Sequence, residues 1–411
     1  MIKNTKKENG QALVMIALAA VALFAFAALA IDGSNVFSDR RHAQNAADTS
    51  AMAAALSKIR AGTWNADGLA RAASNGYDND GSTNEVYIYS PPIDGVYAGN
   101  SQYIQVKITS RVDTYFAQVI GIPQVTNRVE AVARAIPSAI TPLFDGHSVV
   151  GLAPNDCQAV KYQGNADTTI TGGGIFVNSD CASAAFFNNS SSAQLTVPCL
   201  NSVGGITYNP GAINVANGCL ASGAAPYVYP PENYYYPTVA CPAGGSQSGS
   251  TLNPGTYSGQ FPPSGVTTLA SGIYCVNGDF RVNASDTLTG NGVFIYMQSG
   301  DIVFNGGATI NLSAIPGPMH PETNPYGGLL FYMPMSNSGT ITINGNSGSS
   351  FTGTIFAPAA DISISGTGSG GLHGQIIGYT VDLSGTSDTS IVYNNSENWN
   401  PLIPAQLQVA Q

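Results

Sequence analysis

The chain has 411 residues, 9% of them charged, with 47 glycines and a formal net charge of -10. That length implies two or three folded units, and 44% hydrophobic residues with so few charges exclude highly charged disorder. Twelve of the 14 Lys and Arg residues precede Ile136, so the Gly-, Ser-, Thr- and Asn-rich remainder, with only Lys161 and Arg281, is not expected to bind nucleic acid.

Lys3, Lys6 and Lys7 sit in a basic tail, 1–10, ahead of an uncharged apolar run, 11–31. At about 1.5 Å per residue the run is long enough to cross roughly 30 Å of hydrocarbon as a helix. Leu13, Ile16, Leu23, Phe24, Leu29 and Ile31 would face lipid, so membrane lipid is the first expected partner. The lysines place the N-terminus in the cytoplasm and the remaining chain outside, by the positive-inside rule. Ala28-Leu29-Ala30 also has the small-x-small form of a secretory cleavage site. The run, however, exceeds the usual signal-peptide core of about 7 to 15 residues and its helical pattern continues past that site, which favours a retained anchor. Residues 32–62 are Ala-rich and contain no Pro, so the helix is expected to continue, with Arg40 and Arg41 near the outer headgroups beside Asp32 and Asp39. Its small face, Ala43, Ala46, Ala47, Ala51 and Ala54, can receive either another helix or the neighbouring domain of the same chain.

Gly10-Gln11-Ala12 leads into the apolar run, Ala30-Ile31-Asp32-Gly33 ends it, and Arg40, Arg41, His42, Ala43, Gln44, Asn45, Ala46, Ala47 and Asp48 follow. This series resembles the N-terminal segment of TadE/TadG-like Flp (tight adherence) pilus-assembly proteins, strongly over about the first 60 residues. Arg40, Arg41, Gln44, Asn45, Ala46, Ala47 and Asp48 carry most of its specificity. The resemblance implies a single-pass protein of the bacterial cell envelope, working with other pilus-assembly or envelope proteins. Pseudopilin relatives carry Glu five residues after the Gly at which prepilin peptidase cuts, whereas Met15 stands there in this chain. The departure points to the membrane-retained, TadG-like variety.

From 63 to 135 helix and strand signals alternate. A short helix is expected over 68–75, strands over 85–90 and 103–112, a short helix over 114–121 and a strand over 125–135, together a small α+β membrane-proximal domain. Lys107, Arg111, Arg128 and Arg134 read as its solvated face. From 136 to 400 the helix signal nearly vanishes and short β-branched or aromatic runs recur between Gly and Asn. Apolar triplets at Ile273, Phe294, Leu329, Ile355 and Ile376 return at intervals near 20, with longer gaps at the Pro-rich 316–325 and the Ser/Gly stretch 345–350. This period predicts a right-handed parallel β-helix-like domain, with an antiparallel β-sandwich as the alternative. The fold class is therefore mainly β, closing in a short tail, 401–411. Residues 225–237 hold five tyrosines and four prolines, a loop that either offers rings to sugars or covers one end of the coil stack.

Cys157, Cys181, Cys199, Cys219, Cys241 and Cys275 all follow the membrane run, and none forms C-x-x-C. Disulfides in an oxidising compartment are expected, in any of 15 pairings, rather than a zinc site. Other motifs are weak. Gly366, Gly368 and Gly371 satisfy G-x-G-x-x-G with no helix after them. Asp361, Ser363 and Ser365 have the spacing of a metal-dependent adhesion loop, yet Ile362 and Ile364 alternate with them as in a strand. Asp279, Asp301, Asp361 and Asp382 are acids of the kind a β-helical polysaccharide enzyme uses, but Asp279 and Arg281 read as an ordinary surface pair. His147, His320 and His373 are isolated. The expectation is a non-catalytic, cofactor-free and metal-free β ectodomain in pilus assembly or adhesion, with a glycan or surface ligand as a possible partner. The alternatives are a polysaccharide-active enzyme and a metal-dependent adhesion module.

Overall fold

Nothing between the apolar run and the Ala-rich extension breaks a helix, and Gln11–Ile59 is one uninterrupted α-helix of 49 residues, α1. The computed structural model describes residues 11–410 apart from 191, 217–218, 232–234, 318–322, 346–347, 366–367 and 386–387. Lys3, Lys6, Lys7, His320 and Gly366 lie outside the described residues. Leu13, Ile16, Leu23, Phe24, Leu29 and Ile31 are exposed on every side of α1, a helix long and apolar enough to cross a membrane. From Ala43 onward the same helix buries a stripe of small side chains.

That stripe belongs to the first of two compact units, Met1–Ala139 with Pro404–Gln411. α2, Trp64–Ser74, returns along α1. Strands β1 (Asn84–Tyr89), β2 (Tyr103–Asp113) and β3 (Gln124–Ile136) form an antiparallel sheet. Ala43, Ala46, Ala47, Ala51, Ala54 and Ala55 are buried in one core with Ile104, Val106, Ile108, Val129, Ala131 and Ala133. The small face thus docks on the chain's own sheet. Gly68 sits where α2 meets α1, and a Cβ there would lie 3.0 Å from Ala54 Cβ and 3.4 Å from the Ser50 carbonyl oxygen. Two expectations need correction. The helix expected over 114–121 is only a 3-10 turn, Ala117–Ile120, stopped by Gly121 in the left-handed conformation; four residues with adjacent β-branched Val119 and Ile120 do not sustain an α-helix. The segment 401–411 is not a free tail, because Gln406–Ala410 pairs antiparallel with β3 as the fourth strand, with Ala133 opposite Val409.

The second unit is Ile140–Ile403. Among its described residues, the strands other than Leu402–Ile403, which pairs with Ala139–Ile140, fall into three sheets of ten, eight and eleven strands, and the chain visits them in turn: Val149–Gly151 in the first, Val160–Gly164 in the second, Thr168–Thr171 in the third, then Ile175–Val177 in the first again. Within these three sheets pairing is parallel except for Gln247–Ser248 with Thr251–Leu252, so an antiparallel sandwich does not describe them. The coil repeat is read from register: Leu200 to Leu220 is 20 residues and Ile355 to Ile376 is 21, whereas Ile295 to Phe331, across the Pro-rich insertion, is 36. Inside the coils Phe261, Phe280, Phe304 and Phe351 form a ladder with successive ring centroids 4.9, 4.9 and 5.8 Å apart. The result is a β-helix-like stack.

The coils do not stack in simple chain order. From Val149 the first coils run outward to Leu220–Ser222 at one edge of the first sheet. The chain then crosses to the opposite edge, Gly255–Ser258, and winds back until Ile376 pairs with Val149, Val381 with Val160 and Thr389 with Thr168. First and last coils are therefore neighbours in the middle of the stack.

Candidate functional site

In the first unit, polar groups line the seam where α1 meets the sheet. Asp39 accepts hydrogen bonds from Tyr77 Oη at 3.1 Å, Ser110 Oγ at 3.0 Å and Asn127 Nδ2 at 2.7 Å. Burial and the Asp39 carboxylate raise the Tyr77 phenol well above its ordinary value, so it stays a donor. Further along, Gln44 Nε2 donates to Asp48 Oδ1 at 3.0 Å and to the Glu130 carbonyl at 2.9 Å. The resemblance motif therefore divides in three. Ala46 and Ala47 pack in the core, Gln44 links α1 to β3 while Asp48 holds its amide, and Arg40, Arg41 and Asn45 are exposed. Arg41 and Asn45 line an open groove of about 850 Å³ with Ser34, Asp39, His42 and Val112. From sequence Asp39 was read only as a charge beside Arg40 and Arg41; its bonds to Tyr77, Ser110 and Asn127 had no signal, since those partners are 38 to 88 residues away.

In the second unit the acids bond partners on their own or the adjacent coil, and Arg281 bridges two of them, its Nη2 lying 3.9 Å from Asp301 Oδ2 as well as beside Asp279. Arg281 bonds Asp279 Oδ2 through Nε at 3.1 Å and Nη2 at 3.0 Å. The Asp301 backbone N–H reaches Asp279 Oδ1 at 3.1 Å, and these two partners hold the Asp279 carboxyl below its usual range. Asp301 Oδ1 accepts the Thr340 N–H at 2.7 Å, Asp361 Oδ1 accepts Thr380 Oγ1 at 2.6 Å, and Asp382 pairs with Lys161 at 2.7 Å. Asp361, Ser363 and Ser365 lie along one strand, Asp361–Ser365, with Ile362 and Ile364 buried between them. Among the described residues no group of three His, Cys, Asp or Glu side chains is placed to hold a metal ion. His147 Nδ1 lies 2.8 Å from the Phe144 carbonyl, and His373 ends the strand Gly368–His373.

The tyrosine-rich crossover runs over the outer face of the first sheet rather than capping an end. Tyr227, Tyr229, Tyr235 and Tyr236 pack on a second apolar layer built from Val150, Phe176, Phe294, Tyr332, Phe356 and Ile377. Tyr227 stacks edge-on to Phe176 at 4.7 Å and Phe144 at 5.0 Å, and its hydroxyl donates to Asp145. These rings are committed to packing. This cover explains why first-sheet strands such as Thr354–Ala357 are buried on both faces, while the second and third sheets alternate buried and half-exposed residues.

The six cysteines form three disulfides. Cys157–Cys181 and Cys199–Cys219 staple successive outward coils, and Cys241–Cys275 pins the end of the crossover to strand Gly272–Asn277.

Residues 267–398, the returning coils, match a family described as Domain of unknown function (DUF7305). No curated protein and no solved structure matches the chain. Residues 10–57 match the family described as Putative Flp pilus-assembly TadE/G-like, and that span covers almost the whole of α1. The protein thus carries a TadE/G-like Flp pilus-assembly segment on its long apolar helix.

Proposed function

We propose that this protein is a TadG-like component of Flp/Tad pilus assembly or surface attachment, anchored in the bacterial cytoplasmic membrane by α1. In this reading residues 1–10 face the cytoplasm, and a right-handed parallel β-helix stands outside as a non-catalytic structural or adhesive module. The observation that carries the reading is the TadE/G-like span, whose apolar half is exposed all round and whose Ala-rich half is the core helix of the first unit. Three disulfides suit an oxidising compartment. The expected partners are lipid and other pilus-assembly or envelope proteins, with a glycan or surface ligand a further possibility for the β module.

A non-catalytic role is supported by how the acids are bonded: Asp279, Asp301 and Asp361 each accept a hydrogen bond from the adjacent coil, from the Asp301 N–H, the Thr340 N–H and the Thr380 hydroxyl, and Asp382 pairs with Lys161 on the adjacent strand. Deleting the gene in its native host and scoring surface pili and attachment tests the role. Loss of either, restored by the intact gene, is the expected result; piliation and attachment both unchanged would contradict it.

A further inference from the structure

β2 runs along α1 toward the apolar end of the helix. Lys58 bonds the Ser101 carbonyl, Asp39 bonds Ser110, and Asp32 meets residues 115–117. Asp32 is the first charged residue after the apolar run. Its Oδ1 accepts the Tyr115 N–H at 2.9 Å, and its Oδ2 accepts the N–H groups of Phe116 at 3.0 Å and Ala117 at 2.7 Å. The carboxylate therefore ties the tip of the β2–β3 hairpin to the level of α1 at which hydrocarbon would begin. That tip is unlike a solvent-facing turn. Tyr115, Phe116, Val119, Ile120 and Ile122 are 64%, 46%, 84%, 71% and 47% exposed. No charged residue occurs from 114 to 127, and Asp113 and Arg128 flank the stretch.

We propose that the β2–β3 hairpin tip is a second membrane contact, inserting Val119, Ile120 and Ile122 into the headgroup and upper acyl region beside α1. Tyr115 and Phe116 lie at the interface. The inference rests on α1 spanning a bilayer, and lipid is the occupant because the apolar tip is continuous with the exposed apolar surface of that helix. An uncharged cluster of this kind held in water would be a liability. Two contacts on one unit would fix the tilt and rotation of the first unit at the surface, which a single helix leaves free.

The test uses the full-length protein in phosphatidylethanolamine–phosphatidylglycerol vesicles doped with a phospholipid bearing a diazirine near the glycerol end of its acyl chain. After photolysis, trypsin cuts at Arg111 and Arg128, releasing the tip as one peptide, 112–128. The peptide 8–40 reports α1, and 72–107 is the control. Labelling of both 8–40 and 112–128 above the control is the expected result. The triple variant V119S/I120S/I122S, altered only at exposed positions, should keep the α1 label and lose about tenfold of the tip label. Labelled 8–40 with 112–128 at control level overturns the inference and leaves the anchor standing. That outcome includes a tip occupied by a second copy or another protein. If 8–40 itself is unlabelled, the anchor fails and the inference falls with it.

Discussion

Ile376 lies in register opposite Val149 on the adjacent parallel strand, joining the last coil of the stack to the first. Both side chains are buried in the main core. The outward and returning runs of coils are thereby one hydrophobic unit, although each coil in a β-helix buries its inner face only against its neighbours.

Ile376→Ala at this junction should destabilise the second unit by about 2–5 kcal/mol, the usual range for emptying a buried Ile site. Hydrogen exchange read by mass spectrometry should rise in peptides from both runs, around 149–151 and around 354–357. Increased exchange confined to the returning run would show that the two runs are independent.

The double variant C241S/C275S frees the end of the crossover. With the two cysteines separated by 34 positions in sequence, chain-entropy arguments give a loss of about 4 kcal/mol. Thermal unfolding should fall accordingly, and a dye that reports exposed apolar surface should bind earlier as Phe294, Tyr332 and Phe356 lose their cover. An unchanged midpoint would mean that packing of the tyrosines alone holds the crossover down.

How far this fold was legible depended on which faces were covered. The recurring triplets at Ile273, Phe294, Ile355 and Ile376 mark the first sheet correctly because both faces of those strands are buried, which leaves an uninterrupted apolar run. The Leu329 triplet carries a register shift, and Phe331 takes the position opposite Ile355. The reversal of stacking order had no local signal. The strand at Val149 pairs with its successor at Ile175 on one side and with a strand 227 residues later on the other, and nothing local in either sequence marks that second neighbour. The Tyr/Pro segment announced a loop through its prolines, but its destination depended on Val150, Phe176 and Ile377, which lie far away in sequence. In the first unit the alanine stripe was visible by its spacing. Its partner was not, because alanine packs equally closely on a helix or a sheet.

Alkaline pH should act through the crossover. Burial raises the phenols of Tyr227, Tyr229, Tyr236 and Tyr332, that of Tyr236 to about 12. A group whose folded pKa lies above its unfolded value favours the protonated fold, so its contribution is complete below about pH 10 and is lost as pH rises toward 12. The thermal midpoint should hold steady up to about pH 10 and then fall, with tyrosinate absorbance rising in two separate steps. A single step at the ordinary tyrosine pKa would place these rings in water.

Overpacking should expose the seam of the first unit. Ala47 is fully buried against the sheet, and Ala47→Leu should cost about 1–3 kcal/mol and lower exchange protection at Val106 and Ile108. Asn45→Ala, two residues away on the exposed side, should change stability by less than about 0.5 kcal/mol. Equal tolerance of both substitutions would mean the alanine face is not docked on β2 and β3.

The central claim is that the apolar half of α1 is held in lipid while the six cysteines mature in an oxidising space outside the cytoplasm. Its most direct test is to treat intact spheroplasts with a membrane-impermeant polyethylene-glycol maleimide, with and without an impermeant reductant. The account expects no mass shift without reductant and a shift of the full-length chain once it is added. Cysteines that react only after lysis, and without any reductant, would place the β unit reduced inside the cell and contradict the account.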